Sequence, residues 1–552
     1  MSESKRLSIP KTADVVIVGA GMAGLFCAWR LITASDSYKN KSIAVLDKGE
    51  KAGGVLQSDV VKINGTTVVG EEGAMRFDKN SMCNIVKLAG DLRLTIVDFV
   101  QNDPNSSLYY LRGKSPFTET QGNSSSYWLD RYNIPTLGFE DPAAIIANAI
   151  SSLVSLNASV TLPSGNSYPT TLADWAVFRN IYSFEGFELN QWGFMPLLTA
   201  MGYGHESIKM LEDAFGFIGF YQKQSNAGNT LFALGHYAKA TPQFSTIDGG
   251  LEQLATGMYQ LSQAYNDVTF GFDTTVQSFE YAPSNANEFT VQYSVGGAHE
   301  STITCSDLIL ALPKFALEQL RQFSPPLRSV RQGVPISNLL ASVDNMILSK
   351  INFFYENCWW YGATGNIGKP IMEGACFSDL PLEQVYFFPS DADDLSKPGS
   401  LTIYSSYHHT NYWEPLQQAG TAFTPVPPLS QPPGSTAATN EVVALANRKI
   451  AETLGIPVST VAAPVLTTYK RWAPDTAEGY AAHMWATGSD DMMIQPQIQY
   501  PVIGKRLFIC GEAYCDEQTW MDGALRSADN ILNAYFGVPV YAAQNAKTGL
   551  CT

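Results

Sequence analysis

The chain has 552 residues, of which 45% are hydrophobic and 16% charged, and its formal net charge is −16 at pH 7. This length predicts two or three domains, and the apolar content is sufficient for a large core, which excludes an intrinsically disordered chain. The acidic balance argues against nucleic acid or an anionic membrane surface as a partner.

The first predicted element is a strand that runs into a glycine-rich turn. Residues 14–18, Asp-Val-Val-Ile-Val, are followed by Gly19-x-Gly21-x-x-Gly24 and an apolar helical pattern. In a dinucleotide-binding fold the first glycine makes the turn, the second admits a pyrophosphate, and the third lets helix and strand pack. The helix N-terminus then offers N–H groups to the phosphates. The alternative is an ordinary glycine turn.

A second strand makes this interpretation more specific. Ser42–Leu46 ends at Asp47, which follows Gly24 by 23 residues. This spacing is close to the about 20 residues expected before a carboxylate that binds a ribose hydroxyl. The two strands together therefore predict a dinucleotide site near the start of the sequence.

Helical and β-rich regions are predicted to follow in turn. Residues 80–92 form a helix, residues 101–130 an irregular region, and residues 141–240 a mostly helical region. From Thr274 the alternation of apolar and polar residues indicates strands. Further predicted elements are strands at 274–281, 289–295, 307–312, 384–388, 401–407 and 505–510, helices at 314–323, 442–454 and 520–535, and a surface loop at 421–439.

The eight cysteines are not arranged as metal ligands. They include no Cys-x-x-Cys pair and no zinc-like spacing with histidine, so no metal site is predicted, although a disulfide is left open. Residues 1–11 lack an apolar signal core, and no run reaches the about 18 to 20 apolar residues of a membrane span. We therefore expect a cytoplasmic protein without a membrane partner; a processed secreted form would look the same.

Four blocks make the chain resemble the flavin-dependent amine oxidases and, within them, the L-amino acid oxidases. The resemblance covers roughly residues 14–536. Arg76 is the residue that separates amino-acid oxidases from plain amine oxidases. The blocks are the first glycine motif with Asp47, then Gly73-Ala74-Met75-Arg76, then Ser349-Lys350-Ile351, and finally Gly511-Glu512 to Gly523.

The resemblance implies an α/β fold. Its core is an FAD-binding dinucleotide domain, Rossmann-like and of the glutathione-reductase type, with an inserted α+β substrate domain and a helical subdomain. The implied boundaries are 13–75, 243–330 and 503–540 for the FAD-binding domain, 76–130 and 331–502 for the substrate domain, and 131–242 for the helical subdomain.

The same resemblance implies that the bound cofactor is FAD and not a nicotinamide. Glu512 is expected to bind the hydroxyls of the flavin side chain, and the N–H groups that open the last helix should face the flavin pyrimidine, where reduction places negative charge. The implied cofactor-binding residues are Gly19, Gly21, Ala23, Gly24, Asp47, Lys48, Gly54, Gly73, Ala74, Met75, Arg76, Val276, Trp472, Gly511, Glu512, Trp520, Met521 and Ala524.

Four residues are implied to act on the substrate. Arg76 is expected to clamp the amino-acid carboxylate, because its planar fork matches a carboxylate bidentately. Tyr404 adds a second hydrogen bond, Trp520 walls the flavin ring, and Lys350 holds a water near flavin N5. The alternatives are a surface ion pair for Arg76, core packing for the aromatic residues, and a structural role for the lysine.

The sequence departs from the family pattern at two places. Val55 stands where the family has arginine after the glycine pair, and Ala481–His483 are small where the family has an aromatic residue over the substrate, which predicts a wider pocket. Asp516 and Glu517 either face the pocket and favour a basic substrate or, as we expect, are solvated loop charges. The histidines are interpreted as ordinary polar residues: His205, His236, His408, His409 and His483.

The implied reaction converts an L-amino acid, oxygen and water to a 2-oxo acid, ammonia and hydrogen peroxide. The small-molecule partners are thus the amino acid and oxygen, and we expect a homodimer or higher homo-oligomer. An amino-acid 2-monooxygenase or dehydrogenase and an oxidase of simple amines stay open on the same scaffold. A non-redox flavoprotein is the alternative of another class.

Overall fold

Two seven-stranded sheets form the framework of the molecule. The structure is a computed structural model that describes residues 9–222, 225–238, 244–362, 370–425, 429–476 and 479–551. Each sheet combines segments that are far apart in sequence, and helices pack against them, so the fold is of the α/β class.

The first sheet joins the N-terminal strands to a strand near residue 508. Thr12–Val18 pairs in parallel with Ile43–Leu46 and with His299–Leu310. Leu507–Ile509 pairs in parallel with His299–Leu310 from the other side. These apolar runs are buried because helices Met22–Ala34 and Met521–Phe536 share one core with them. The remaining strands are Val268–Gly271, Thr274–Ala282 and Asn285–Val295.

The second sheet centres on a completely buried strand, Leu348–Tyr355. This strand lies between Gly399–Ser406 and Leu466–Trp472, antiparallel to both. The register places Lys350 opposite Tyr404 on one side and Lys470 on the other. The remaining strands are Gln384–Pro389, Gly374–Ser378, Leu108–Tyr110 and Phe117–Thr118.

The helical region of residues 142–238 has its own apolar core. Its helices begin at recognisable caps: Asp141 accepts from Ala144 N, and Thr171 forms a capping box with Asp174. The helices are Pro142–Leu156, Leu172–Asn180, Phe194–Ala200, His205–Phe215, Gly219–Gln222 and Ala227–Ala238, and a short hairpin pairs Ser183–Phe184 with Phe187–Glu188.

Smaller elements connect these parts. A hairpin of Ser58–Ile63 and Thr66–Glu71 packs on the second sheet through Phe354 and Leu466. No helix in the described ranges is long and apolar enough to cross a membrane. The other strands are Phe77–Asp78, Ile96–Asp98, Phe244–Ile247, Val330–Arg331, Val334–Pro335, Val343–Met346 and Ala482–Trp485, and the other helices are Cys83–Asp91, Glu119–Gly122, Ser125–Leu129, Glu252–Gln263, Lys314–Phe323, Ile336–Leu340, Thr410–Ala419, Asn440–Leu454 and Asp491–Gln499.

Most predicted long elements are confirmed, with shifted ends. The helix predicted at 80–92 begins only at Cys83, because the Asp78 carboxylate binds Asn80 N and Ser81 Oγ and holds a turn there. The irregular interpretation of residues 101–130 is wrong in part, since two short strands and two short helices lie there. Residues 223–224, 239–240 and 426–428 of the predicted regions lie outside the described residues.

The domain boundaries stay a prediction. The strands of the first sheet come from residues 12–46, 268–310 and 507–509, which is compatible with a nucleotide-binding domain in several pieces. Residue 243, where one predicted piece begins, lies outside the described residues.

Candidate active site

One cavity of about 1730 Å³ gathers the site residues predicted from the sequence. Pockets for a single small ligand measure about 300–1,000 Å³, so this one has room for a dinucleotide and a substrate. Only Gly24 is absent from its lining; a Cβ there would lie 1.9 Å from Gly19 O, so this glycine lets the helix pack on the strand. The lining includes Gly19, Gly21, Ala23, Asp47, Lys48, Gly54, Gly73, Ala74, Met75, Arg76, Val276, Lys350, Tyr404, Trp472, Gly511, Glu512, Trp520, Met521 and Ala524.

The glycine-rich turn forms one end of the cavity. Gly19 N donates to Leu46 O at 2.8 Å. This bond joins the turn after the first predicted strand to the end of the second. The Asp47 carboxylate accepts from Ala20 N and Gly49 N, both at 2.6 Å. Burial raises the pKa of Asp47, while these two amide bonds lower it. The carboxylate is thus held at the turn and retains lone pairs for a ribose hydroxyl.

Glu512 is held by His483, a residue that no motif marked as part of the site. Its Oε1 accepts from His483 N at 3.1 Å and Thr519 N at 2.6 Å, and its Oε2 lies 2.7 Å from His483 Nδ1. His483 is 1% exposed and lines the cavity, so the interpretation of this histidine as an ordinary polar residue is incomplete. No sequence signal pairs two residues that are 29 positions apart.

Arg76 is buried among aromatic rings. Its guanidinium carbon lies 5.4 Å from the centroids of Phe99 and Phe244 and 5.5 Å from that of Tyr386. Trp520 stacks on Phe244 at 5.9 Å between centroids. Because Arg76 is only 4% exposed, the surface-ion-pair alternative is wrong. A cation in such surroundings is weakly hydrated and favours an anionic ligand.

Lys350 lies at the centre of the second sheet and is 2% exposed. Its Nζ donates to Gly73 O and lies 4.8 Å from the ring centroid of Tyr404. Burial lowers the pKa of Lys350 to about 7, against the attraction of Glu71. A lysine with this pKa can bind and release a proton near neutral pH.

Two further aromatic residues of the predicted site, Trp472 and Tyr404, differ in their contacts. Trp472 is 1% exposed, donates from Nε1 to Glu72 O at 2.9 Å, and is flanked by the Lys470 ammonium at 4.7 Å. Tyr404 is half-buried and meets Phe217 edge-on at 5.5 Å. Phe217 and its neighbour Phe220 come from the helical region, where nothing in the sequence marked them as lining residues.

The two acidic residues before Trp520 both lie near the same arginine. Glu517 is 0% exposed and pairs with Arg526 at 3.0 Å, and Asp516 lies 3.3 Å from the same guanidinium. Neither residue lines the cavity. The interpretation as a solvated loop charge is therefore wrong for the buried Glu517, whereas the Asp516 side chain is 25% exposed. Because neither residue faces the cavity, neither is placed to favour a basic substrate.

The places that depart from the family pattern also lie in the cavity wall. Val55, Ala481 and Ala482 line it, and Val55 and Ala481 pack on the core of the helical region. That these small side chains widen the substrate pocket stays a prediction. His236 has no described side chain, so its interpretation lies outside the described residues.

The residues fit an extended, anionic dinucleotide better than a metal. Gly21 forms a bridge with Gly53, and a Cβ at Gly21 would meet only Gly54 Cα, at 3.9 Å, so the backbone is open to close approach. The helix Met521–Phe536 opens at the cavity and points its N–H groups into it. The described parts of the chain contain no group of three or more His, Cys, Asp or Glu residues able to hold a metal ion.

Comparisons with known proteins agree with this geometry. A family model described as flavin containing amine oxidoreductase matches residues 22–531. Achacin of Lissachatina fulica is 23% identical over 551 residues, covering 95% of this chain and 93% of achacin. An L-amino-acid oxidase of Vipera ammodytes ammodytes is 24% identical over 388 residues, covering 69% and 68%. A solved structure of putrescine oxidase bound to putrescine has a TM-score of 0.66 at 18% identity, covering 95% and 99%.

Proposed function

The chain belongs to the flavin-containing amine oxidoreductase family, which implies FAD as its cofactor, and we propose that it is an L-amino acid oxidase. The reaction oxidises the Cα–N bond of an L-amino acid to an imine with oxygen as the electron acceptor, and water hydrolyses the imine, so that a 2-oxo acid, ammonia and hydrogen peroxide are released. Amino acid and oxygen are then its small-molecule partners.

The buried guanidinium of Arg76 carries this proposal. It lies in the same cavity as the glycine-rich turn and Lys350, and its guanidinium carbon lies 5.4 to 5.5 Å from the centroids of three aromatic rings. An arginine that is desolvated and faces a cavity gains most from a bidentate carboxylate. A simple amine has no carboxylate for Arg76 to bind.

The residues of the site would have separate roles in this reaction. The bound flavin supplies the acceptor for the hydride that leaves Cα. Arg76 holds the substrate carboxylate and thereby aims Cα, while Trp472 and Trp520 exclude water from the reacting face. Lys350, with its pKa lowered to about 7 by burial, is suited to receive a proton when the substrate ammonium becomes the reactive neutral amine.

A product assay over the twenty L-amino acids and the corresponding amines tests the proposal. We expect peroxide and 2-oxo acid in equal amounts from at least one amino acid, with slower turnover of its decarboxylated amine. An amide product would identify a 2-monooxygenase, and turnover of amines alone an amine oxidase. Bound flavin that no amino acid reduces would indicate a non-redox flavoprotein. Each of these three results contradicts the proposal.

A further inference from the structure

A buried carboxylate behind the cavity wall joins two separate parts of the fold. Glu383 is 2% exposed and is not among the described residues that line the cavity. Its Oε1 accepts from Ile218 N at 3.1 Å and from Ser406 Oγ at 2.7 Å, and its Oε2 accepts from Ser406 N at 2.7 Å. The carboxylate therefore ties the helical region to the end of the second-sheet strand that carries Tyr404.

The backbone around these hydrogen bonds is unusual. Phe217, directly before Ile218, has a φ of 53°, and Glu383 and Tyr407 have φ values of 57° and 49°. A left-handed φ is rare in residues with large side chains and persists only where the surroundings impose it. All three residues adjoin the hydrogen bonds of the Glu383 carboxylate, so these bonds are the constraint that fixes the local conformation.

The segment that Glu383 holds forms part of the cavity wall. Phe217 and Phe220 both line the cavity. The ring of Phe217 meets that of Tyr404 edge-on, with 5.5 Å between centroids and 83° between planes, and lies 5.9 Å from the ring of Phe220. The Lys350 ammonium lies 4.8 Å from the same Tyr404 ring. The two phenylalanines therefore reach the part of the cavity where the substrate is proposed to bind.

The hydrogen bond from Ile218 connects Glu383 to that wall. A buried carboxylate is costly unless hydrogen bonds compensate it, and the two bonds from Ser406 do this at the end of its own sheet. The bond from Ile218 instead spans 165 positions of the chain. His409 also faces the carboxylate, with its Nδ1 3.4 Å from Oε2. Loss of the Ile218 bond would release Phe217 from its left-handed conformation, because the two residues are adjacent.

We propose that Glu383 is a positioning residue that sets the specificity of the site for the substrate side chain. It holds Ile218 N and thereby fixes Phe217 against Tyr404, so that the two phenylalanines form a wall on which a long side chain packs. This inference rests on the proposed oxidation of an amino acid whose carboxylate is bound by Arg76. A methyl side chain gains little from the wall, whereas a benzyl side chain gains much.

Hydrogen exchange of the resting holoenzyme tests the hold of Glu383 without any substrate. Glu383→Asp keeps the charge and tolerates a left-handed φ, but it is one methylene shorter and cannot keep its bonds to both Ser406 and Ile218. Glu383→Gln keeps the length and an acceptor oxygen. We expect the Ile218 amide to exchange about tenfold faster or more in Glu383→Asp, and to stay close to the wild-type rate in Glu383→Gln and in the control Phe217→Ala. Wild-type exchange of this amide in Glu383→Asp would overturn the proposal.

Steady-state kinetics with L-phenylalanine and L-alanine test the effect on specificity. We expect Phe217→Ala to raise the KM for L-phenylalanine about tenfold or more and Glu383→Asp to raise it roughly three- to tenfold, with a smaller change in kcat and a clearly smaller rise of KM for L-alanine. The double variant should lose no more than Phe217→Ala alone, because Glu383 acts through Phe217.

Additive losses in the double variant, or equal losses on the two amino acids, would contradict the proposal. A protein that oxidises neither amino acid would fail as an oxidase, and the exchange of the Ile218 amide would still decide whether Glu383 holds the segment. Failure of the oxidase assignment and failure of this positioning role are therefore distinguishable.

Discussion

At the scale of single residues, the surroundings of Arg76 suit an anionic ligand. Three aromatic rings lie about its guanidinium and exclude water. A charge-assisted bidentate bond in such a place is worth about 1.5 to 3 kcal/mol. The planar fork matters as much as the charge, since a lysine ammonium is a point charge with stronger hydration.

We predict that Arg76→Ala raises the apparent substrate constant for amino acids by roughly ten- to a hundredfold. Arg76→Lys should recover only part of this loss. The matched control is the decarboxylated amine of the best substrate, for which the loss should shrink because no carboxylate is present. Steady-state kinetics on both compounds provide the measurement. Equal losses on both would mean that Arg76 supports the fold or the cofactor.

Glu72 gives a prediction for stability against pH. Its pKa is raised from 4.5 to about 8 in the folded protein, so between these values the folded state binds the proton that the unfolded state has lost. Stability should therefore fall as pH rises through this range, by at most about 1.4 kcal/mol per pH unit. Glu72→Gln should make this decline less steep, as urea-unfolding midpoints at pH 5, 6.5 and 8 would show, because Glu71 and Glu517, whose pKa values burial raises to about 7 and about 8, still contribute. Parallel declines in both proteins would refute the assignment.

The sequence indicated charged site residues more readily than apolar ones. Arg76 and Lys350 stand out because each is a charge in an apolar or glycine-rich run, where burial is costly without a function. Phe217 and Phe220 do not stand out, because aromatic residues in a helical region are usually core. The pairing of His483 with Glu512 depends on tertiary contact, and no local pattern encodes it.

At the scale of elements, two glycines of the glycine-rich turn meet different physical requirements. A Cβ at Gly24 would lie 1.9 Å from Gly19 O, whereas one at Gly21 would meet only Gly54 Cα at 3.9 Å. Gly24 is thus required for the packing of the helix on the strand, whereas the backbone at Gly21 is open toward the cavity. The local pattern predicted both strands here because strand, turn and helix are consecutive in sequence.

We predict that Gly21→Val gives a folded, colourless protein, because the side chain enters the space for the pyrophosphate. Gly24→Ala, the matched variant, should instead lower stability or prevent folding. Circular dichroism and the flavin absorbance of the purified proteins distinguish the two. A yellow Gly21→Val variant with wild-type flavin content would contradict the expected route of the cofactor.

The hairpin Ser58–Glu71 and the strand Leu466–Trp472 were not predicted from the sequence. Both pair with or pack on segments far away in the chain, and their burial depends on Phe354 of the second sheet. By contrast, the helix Asn440–Leu454 was predicted at nearly its full length, because its amphipathic period and its threonine cap are local.

At the scale of the whole molecule, a disulfide joins Cys83 to Cys551 across 468 positions. It fixes the C-terminal segment along the helix Cys83–Asp91, together with bonds from Cys551 N to Asn80 O and from Gln544 to Ser81 O. The other six cysteines are free and buried. A disulfide is typical of proteins that mature in an oxidising compartment. The cytoplasmic location stays a prediction, and whether this disulfide forms in the native protein tests it.

We predict that Cys551→Ser lowers the free energy of unfolding by about 2–4 kcal/mol, with flavin content unchanged. The control is Cys358→Ser, which removes a buried free thiol and leaves the Cys83–Cys551 disulfide in place. Thiol titration of the denatured protein from its native source should find six groups without reductant and eight with it. Eight without reductant would show that the bond does not form there.

The cavity is built from both ends of the polypeptide, and this affects the timing of biosynthesis. The glycine-rich turn at Gly19 leaves the ribosome first, but its wall at Gly511, Glu512 and Met521 emerges about 500 residues later. At the about 5–20 residues per second of protein synthesis, the nascent chain spends about 25 to 100 s with an incomplete pocket. We therefore expect FAD to bind only after the closing strand and helix have been synthesised, so that a yellow chain is one whose translation has passed Met521.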